Sequence, residues 1–138
     1  MPAKDVFHDI VKKALTTDGW SITDDPLRLK WGRKDMYVDL GAEQLLSAEK
    51  AGRRIAVEIK SFQGTSDVYD LEHALGQYFV YRAVLEVTQP DRALYLAVSS
   101  EAFREVFEDG LGGLMLTRYE ALLVVFDPEK EVIVKWIP

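Results

Sequence analysis

Glu58 and Lys60 are the residues whose types and spacing most clearly suggest chemistry. They alternate along residues 54–62, which have the apolar body of a strand, so both side chains are expected on one face. A long predicted helix follows, and such a strand should be central in its sheet, where an ionised side chain is costly unless it is paired or bound to a metal. A Glu–Lys ion pair at a solvated strand end is the alternative.

Asp39 adds a second carboxylate at the end of another predicted strand, residues 36–40. If the two strands pair, Asp39 and Glu58 converge, and two carboxylates at one point repel unless a cation neutralises both. Mg²⁺ suits such a site because it takes carboxylates, waters and phosphate oxygens. Lys60 would stabilise charge on an attacking hydroxide and on the phosphate, which completes a set of groups for phosphodiester hydrolysis. An equally open alternative is that Asp39 only caps the end of its strand.

Gln77 lies on the predicted long helix of residues 67–87, with Tyr81 and His73 one turn away on either side of it. Its amide both donates and accepts hydrogen bonds, which suits a group that orients a water or a base. Taken singly, Gln77 as a polar surface residue and Tyr81 as a partly buried core residue are the commoner roles.

The other predicted elements must position these residues. A helix is expected over residues 5–17, short strands over 20–23 and 27–31, and a short helix is one interpretation of residues 42–51. Residues 93–98 are expected to form a strand, Ser100 to begin a short helix, and Gly110, Gly112 and Gly113 to mark a loop. Residues 121–126 and 131–137 predict a C-terminal β-hairpin. This order predicts a single mixed α/β domain over residues 1–138, with a mixed central sheet flanked by helices.

Composition narrows the chemistry further. The chain has 138 residues, 48% of them hydrophobic and 29% charged, which excludes disorder. With no cysteine and two histidines, a disulfide framework, a cysteine nucleophile and a multi-histidine metal site are excluded. There is neither an apolar run of about 20 residues nor a signal-peptide pattern, so no membrane partner and a cytoplasmic location are expected.

The net charge of the chain and its distribution along the sequence give opposite indications about nucleic-acid binding. The net charge of −6 speaks against DNA binding. However, residues 28–60 hold eight basic and five acidic residues, a surplus of +3 that leaves −9 for the remainder. We expect six residues of this basic window to reach DNA phosphates beside the site. They are Arg28, Lys30, Arg33, Lys34, Arg53 and Arg54.

The order Asp39, then Glu58-Ile59-Lys60, then Gln77 with Tyr81 resembles the restriction-endonuclease-like nuclease superfamily. That superfamily carries an Asp, a later Glu-x-Lys and, in its RecB-like branch, a Gln-x-x-x-Tyr helix. The resemblance implies a restriction-endonuclease-like core. Val38 stands where the superfamily's pattern has a proline that many members lack, and Asp35 is a competing acid on the same face of its predicted strand.

Segments along nearly the whole chain resemble the XisH family, the fdxN element excision controlling factors of cyanobacteria. These segments are residues 2–8, 39–43, 56–62, 74–78 and 136–138. The resemblance implies a role in the developmentally controlled DNA excision of heterocysts, alongside a site-specific recombinase and a companion protein, XisI. It also implies nuclease ancestry.

Carried over by position, the resemblance implies that Asp39 and Glu58 are ligands of Mg²⁺ or Mn²⁺, with the carbonyl of Ile59 as a further ligand. Lys60 would be the catalytic lysine and Gln77 an auxiliary residue. The leading hypothesis is a Mg²⁺-dependent DNA endonuclease, for which a homodimer would provide two active sites. The second is a catalytically silent nuclease-fold subunit that acts through a XisI-like partner or the recombinase. A third hypothesis, a hydrolase of nucleotides or small phosphates, has less support because no P-loop-like motif is present.

Overall fold

A computed structural model describes residues 6–32, 34–35 (backbone only), 45–64 and 66–138. In chain order the elements are α1 (His8–Thr17), β1 (Ser21–Asp24), β2 (Lys30–Trp31), β3 (Lys34–Asp35), β4 (Leu45–Lys50), β5 (Arg53–Ile59), α2 (Asp67–Thr88), β6 (Arg92–Ser99), α3 (Ser100–Ala102), a π-helical turn (Phe103–Phe107), α4 (Gly110–Tyr119), β7 (Leu122–Asp127) and β8 (Val132–Ile137).

Six strands form one sheet in the order β1-β4-β5-β6-β7-β8, and β2 with β3 forms a separate two-stranded ribbon. The pairs β5–β6 and β6–β7 are parallel, whereas β1–β4, β4–β5 and β7–β8 are antiparallel. The mixed sheet and the internal position of β5 are therefore confirmed.

The helical interpretation of residues 42–51 was wrong over Leu45–Lys50, which form β4. The first four residues of β4 are all buried, because helices cover both faces of the sheet. A short continuous apolar run does not distinguish a buried strand from a buried helix. Ala51 and Gly52, with φ of 50° and 81°, make the two-residue turn into β5 that a right-twisted hairpin favours.

The sheet divides the core into two layers. On one face, α1 packs Val11, Ala14 and Leu15 against the sheet. On the other face lies the buried side of α2, together with the π-helical turn. Alternation along β5 sends Ile55, Val57 and Ile59 to the α1 layer and Ala56 to the α2 layer.

Two further predictions are settled by local hydrogen bonds. Ser66 caps α2, since its hydroxyl accepts from the N–H of Tyr69 at 3.2 Å. The short helix after β6 is capped by Ser99 rather than Ser100, because the Ser99 hydroxyl accepts from the N–H of Ala102 at 3.1 Å.

The loop predicted from three glycines was wrong, since Gly110–Tyr119 form α4. Gly112 is buried where α4 crosses the preceding turn, and a Cβ there would lie 2.0 Å from the carbonyl oxygen of Val106. This glycine therefore permits a close helix contact. The C-terminal hairpin is confirmed by the antiparallel pairing of β7 and β8.

None of the helices in the described part of the chain is long and apolar enough to cross a membrane.

Candidate functional site

Glu58 lies one residue before the end of β5 and is only 3% exposed. Its neighbours across the sheet are Leu45 of β4 and Leu96 of β6, both in the apolar α2 layer. Its Oε2 atom is buried and has no hydrogen-bond partner among the residues that the structure describes. Burial therefore raises the pKa of the Glu58 carboxyl well above its ordinary value of 4.5, and the nearby positive charge of Lys60 opposes that rise.

Lys60 follows β5 directly and is held in register with the sheet. Its backbone N–H donates to the carbonyl oxygen of Ala97 at 3.1 Å, and its side chain is half-buried. The side chain of Ile59 lies in the α1 layer and is fully buried, which leaves Glu58 and Lys60 together on the α2 side of the sheet. The positive charge of Lys60 acts on the Glu58 carboxyl, as expected of two residues that share a face.

The three residues of the predicted helix stripe differ in their surroundings. Tyr81 is buried in the core, Gln77 is half-buried, and His73 is exposed and stacks on Tyr69 with ring centroids 6.3 Å apart. Gln77 therefore lies at the border between the core side and the solvent side of α2.

Asp70 was not singled out from the sequence, although it is only 6% exposed in the first turn of α2. Its Oδ2 accepts a hydrogen bond from the N–H of Gly64 at 2.9 Å. This contact fixes the segment between Lys60 and α2. The only sequence signal was an acidic residue next to the buried stripe that includes Leu71.

Asp39 and Arg33 lie outside the described residues, as does the predicted strand of residues 36–40. The neighbours of β5 along Arg53–Ile59 are β4 and β6. The expectation that Asp39 converges with Glu58 rests on residues outside the described ranges and stays a prediction. Asp35 is described through its backbone, which pairs with Lys30 in the β2–β3 ribbon.

Arg28 and Lys30 are exposed, and they alternate with the buried side chains of Leu27 and Leu29. The predicted alternation is therefore confirmed, although only Lys30–Trp31 of this segment forms a strand. The N–H of Leu27 donates to the carbonyl oxygen of Leu45, the residue paired with Glu58, at 2.8 Å. The segment thus reaches the Glu58 end of the sheet.

Arg53 and Arg54 lie at the other end of β5, about 16 Å and about 13 Å from Glu58 at the usual rise of a strand. Arg54 forms ion pairs with Asp91 at 2.9 Å and Glu49 at 3.5 Å. The Arg53 guanidinium lies 5.7 Å from the ring centroid of Trp20. Most of the length of β5 separates these two arginines from Glu58, and their expected contacts with DNA phosphates stay a prediction. Of Lys34, only the backbone is described.

Whether a metal ion fits this site depends on which ligand side chains the structure brings together. Within the described ranges, no three side chains of His, Asp or Glu are grouped so that they could hold a metal ion. The unpartnered carboxylate oxygen of Glu58 fits one ligand of a hard cation, since such an atom in an apolar layer gains most from a positive charge. Further ligands would be the Ile59 carbonyl and Asp39.

A large cavity lies away from Glu58. It has a volume of about 790 Å³ and is lined by residues that include Tyr78, Arg82, Arg92 and Phe107, but not Glu58. Arg92 and Leu122 stand at the starts of β6 and β7, so the cavity opens at the sheet edge opposite Glu58. No sequence motif pointed to it.

These features define a mixed α/β protein in which an internal strand ends with a buried Glu and is followed by a half-buried Lys on the same face. The sequence profile described as XisH protein matches residues 1–134, and the chain belongs to the XisH family.

Two solved structures are similar over nearly the whole chain. An XisH family protein from Nostoc punctiforme PCC 73102 is 39% identical with a TM-score of 0.88, over 97% of this chain and 100% of that one. A fdxN element excision controlling factor protein from Anabaena variabilis is 40% identical with a TM-score of 0.88, over 97% and 99%. No curated protein matches the sequence.

Proposed function

We propose that this protein is a DNA-excision controlling factor with a Mg²⁺-dependent endonuclease site at the Glu58 end of β5, acting in the cytoplasm beside a site-specific recombinase. The observation that carries the proposal is the buried Glu58 carboxyl, one oxygen of which has no hydrogen-bond partner within the described ranges and which feels the positive charge of Lys60. An apolar layer does not keep such a group for stability alone. The name of the Anabaena variabilis relative supports the role in excision.

Each residue of the proposed site has a separate task. Glu58 and Asp39, with the carbonyl of Ile59, would hold Mg²⁺ or Mn²⁺, which supplies polarisation of a phosphate and a more acidic bound water. The ammonium of Lys60 would stabilise the negative charge that develops on the phosphate. Gln77, half-buried on α2, would orient a water by donating or accepting a hydrogen bond.

DNA would approach from the side of residues 27–31. Arg28 and Lys30 are exposed there, in a segment hydrogen-bonded to β4 opposite Glu58. Trp31 is also exposed and offers an aromatic face to an unpaired base. Phosphate contacts by Arg28 and Lys30 would position a backbone without reading its sequence. Arg33 and Lys34 continue this basic segment in the sequence.

The experiment is nicking of a supercoiled plasmid with Mg²⁺ or Mn²⁺. We expect Lys60→Ala and Asp39→Ala to abolish nicking while the far-UV circular dichroism spectrum is unchanged. Lys130→Ala is the matched control, because Lys130 is exposed in the β7–β8 turn and its removal changes the net charge as Lys60→Ala does. Nicking that survives both site variants would refute the site assignment.

A second function, that of a catalytically silent subunit, is favoured by the net charge of −6, which speaks against DNA binding by this chain alone. Such a subunit would act through a XisI-like partner, which could supply the positive surface for DNA. Tight binding of that partner, with no nicking under either metal, would support this function over the first.

A further inference from the structure

The outward face of α2 carries an apolar stripe that is exposed to solvent. Its members, here called the α2 stripe, are Tyr69, His73, Gly76, Val80, Ala83 and Val87. All six are exposed, with 67% of Tyr69 and 66% of Val87 accessible. A surface helix usually presents charged residues on this face, and a helix that is apolar on both faces is usually buried. The opposite face of α2 is already in the core.

The spacing of the α2 stripe is that of a helix–helix contact. Successive members are four, three, four, three and four residues apart, which is the heptad spacing of a coiled-coil seam. The pattern is also symmetric about Tyr78. Consider a second copy of α2 that packs antiparallel against the first, with the two-fold axis level with Tyr78 along the helix. Every member of the stripe on one copy would then face a member of the stripe on the other.

Side-chain sizes are complementary in that arrangement. Tyr69 would meet Val87 of the second copy, His73 would meet Ala83, and Gly76 would meet Val80. Each contact joins a larger side chain with a smaller one, as interdigitated packing requires. We propose that the α2 stripe is the interface of a homodimer in which the α2 helices of two copies pack antiparallel.

The available area predicts a weak dimer. The stripe spans about 27 Å of a helix about 11 Å wide, a footprint of roughly 300 Å² per copy. The apolar surface continues onto α4, where Tyr119 contacts Phe79 with ring centroids 6.1 Å apart and where Leu111 and Leu114 are exposed. Together these areas correspond to the small, transient class of interfaces.

Two glutamates give the interface a distinctive electrostatic signature. Glu72 and Glu86 are exposed and flank the α2 stripe on the same side. In the antiparallel register, Glu72 of one copy lies near Glu86 of the other, and this like-charge contact occurs twice. The contact weakens the dimer, so added salt should strengthen the dimer by screening the repulsion.

The experiment is sedimentation equilibrium of the full chain from roughly 1 to 500 µM, a range over which weak, transient dimers dissociate. Val80→Lys should weaken dimerisation at least about tenfold, because it places a charge at the centre of the seam. A wild-type chain that is monomeric throughout, or a folded Val80→Lys variant that dimerises normally, would overturn the proposal.

A charge reversal tests the register independently of Val80. Glu86→Lys should tighten the dimer roughly threefold or more at low salt, since the introduced ammonium would face Glu72 of the other copy in two symmetric contacts, and the gain should shrink at about 1 M NaCl. Glu129→Lys, in the exposed β7–β8 turn, makes the same change of charge and should have a much smaller effect. Equal responses of the two variants would exclude the antiparallel register.

Discussion

Glu58 and Lys60 lie two residues apart at one strand end, where burial and the positive charge of Lys60 act on the Glu58 carboxyl in opposite directions. Burial raises the pKa of Glu58, Lys60 lowers it, and burial has the larger effect. Glu58 therefore binds a proton more readily in the folded chain than in the unfolded chain. This difference links the candidate site to the stability of the whole protein.

The first prediction concerns the pH dependence of stability. Because its folded-state pKa is raised, Glu58 gives its full stability below the ordinary value of 4.5, and this stability is lost as pH rises to the folded pKa. Glu58→Gln cannot ionise, so it should be more stable than wild type at neutral pH and should lack this loss. Urea unfolding at a series of pH values would measure the difference.

Glu129→Gln is the control for this comparison, because Glu129 is exposed in a turn. It should follow the wild-type pH profile. If Glu58→Gln also parallels the wild type from acid to neutral pH, Glu58 is not buried as the structure shows.

The second prediction concerns the proposed metal. A cation that binds only the folded chain at Glu58 stabilises it by about 2.7 kcal/mol when present at about a hundred times its Kd. Mg²⁺ should therefore raise the Tm of the wild type at neutral pH and should not raise that of Glu58→Gln. Differential scanning calorimetry with a MgCl₂ series would measure this. An equal rise in both proteins would mean that Mg²⁺ binds elsewhere.

The sequence predicted the elements whose patterns are long or clearly bounded. The 22 residues of α2, its Ser66 cap and the C-terminal hairpin all agree with the structure. β4 and α4 were missed for physical reasons. An apolar run buried on both faces has no period, and Gly112 marks a close contact that only the folded chain reveals.

The sequence likewise predicted only part of the candidate site. Alternation along one strand was enough to place Glu58 and Lys60 on one face, because it depends on local geometry alone. The neighbours of β5 depend on contacts distant in sequence, so the sequence did not show that β4 would lie beside Glu58. The distance between Arg53 and Glu58 is another such feature, since five residues of extended strand separate the two by about 16 Å.

The third prediction concerns Tyr78, which joins α2 to two strands. Its hydroxyl donates to the carbonyl oxygen of Leu94 and accepts from the N–H of Leu122, both at 2.9 Å. Tyr78→Phe leaves both backbone groups without this partner and should lower the free energy of unfolding by about 1–3 kcal/mol. Tyr69→Phe is the control, since Tyr69 is exposed. Equal stabilities of the two variants in urea would contradict the role of the Tyr78 hydroxyl.

The last prediction contrasts two glycines that both lie inside helices. At Gly76 a Cβ would meet nothing within 4 Å, so Gly76→Ala should stabilise the monomer by about 0.8–1 kcal/mol through helix propensity.

At Gly112 a Cβ would lie 2.0 Å from the carbonyl oxygen of Val106 and 2.7 Å from its carbonyl carbon. These are backbone atoms, and they can yield only if α4 moves away from the π-helical turn. Gly112→Ala should therefore destabilise the chain by about 3 kcal/mol or more, despite the same gain in helix propensity. Urea unfolding at low protein concentration would measure both variants. A Gly112→Ala variant as stable as Gly76→Ala would mean that α4 does not pack against Val106 this closely, because only that contact separates the two substitutions.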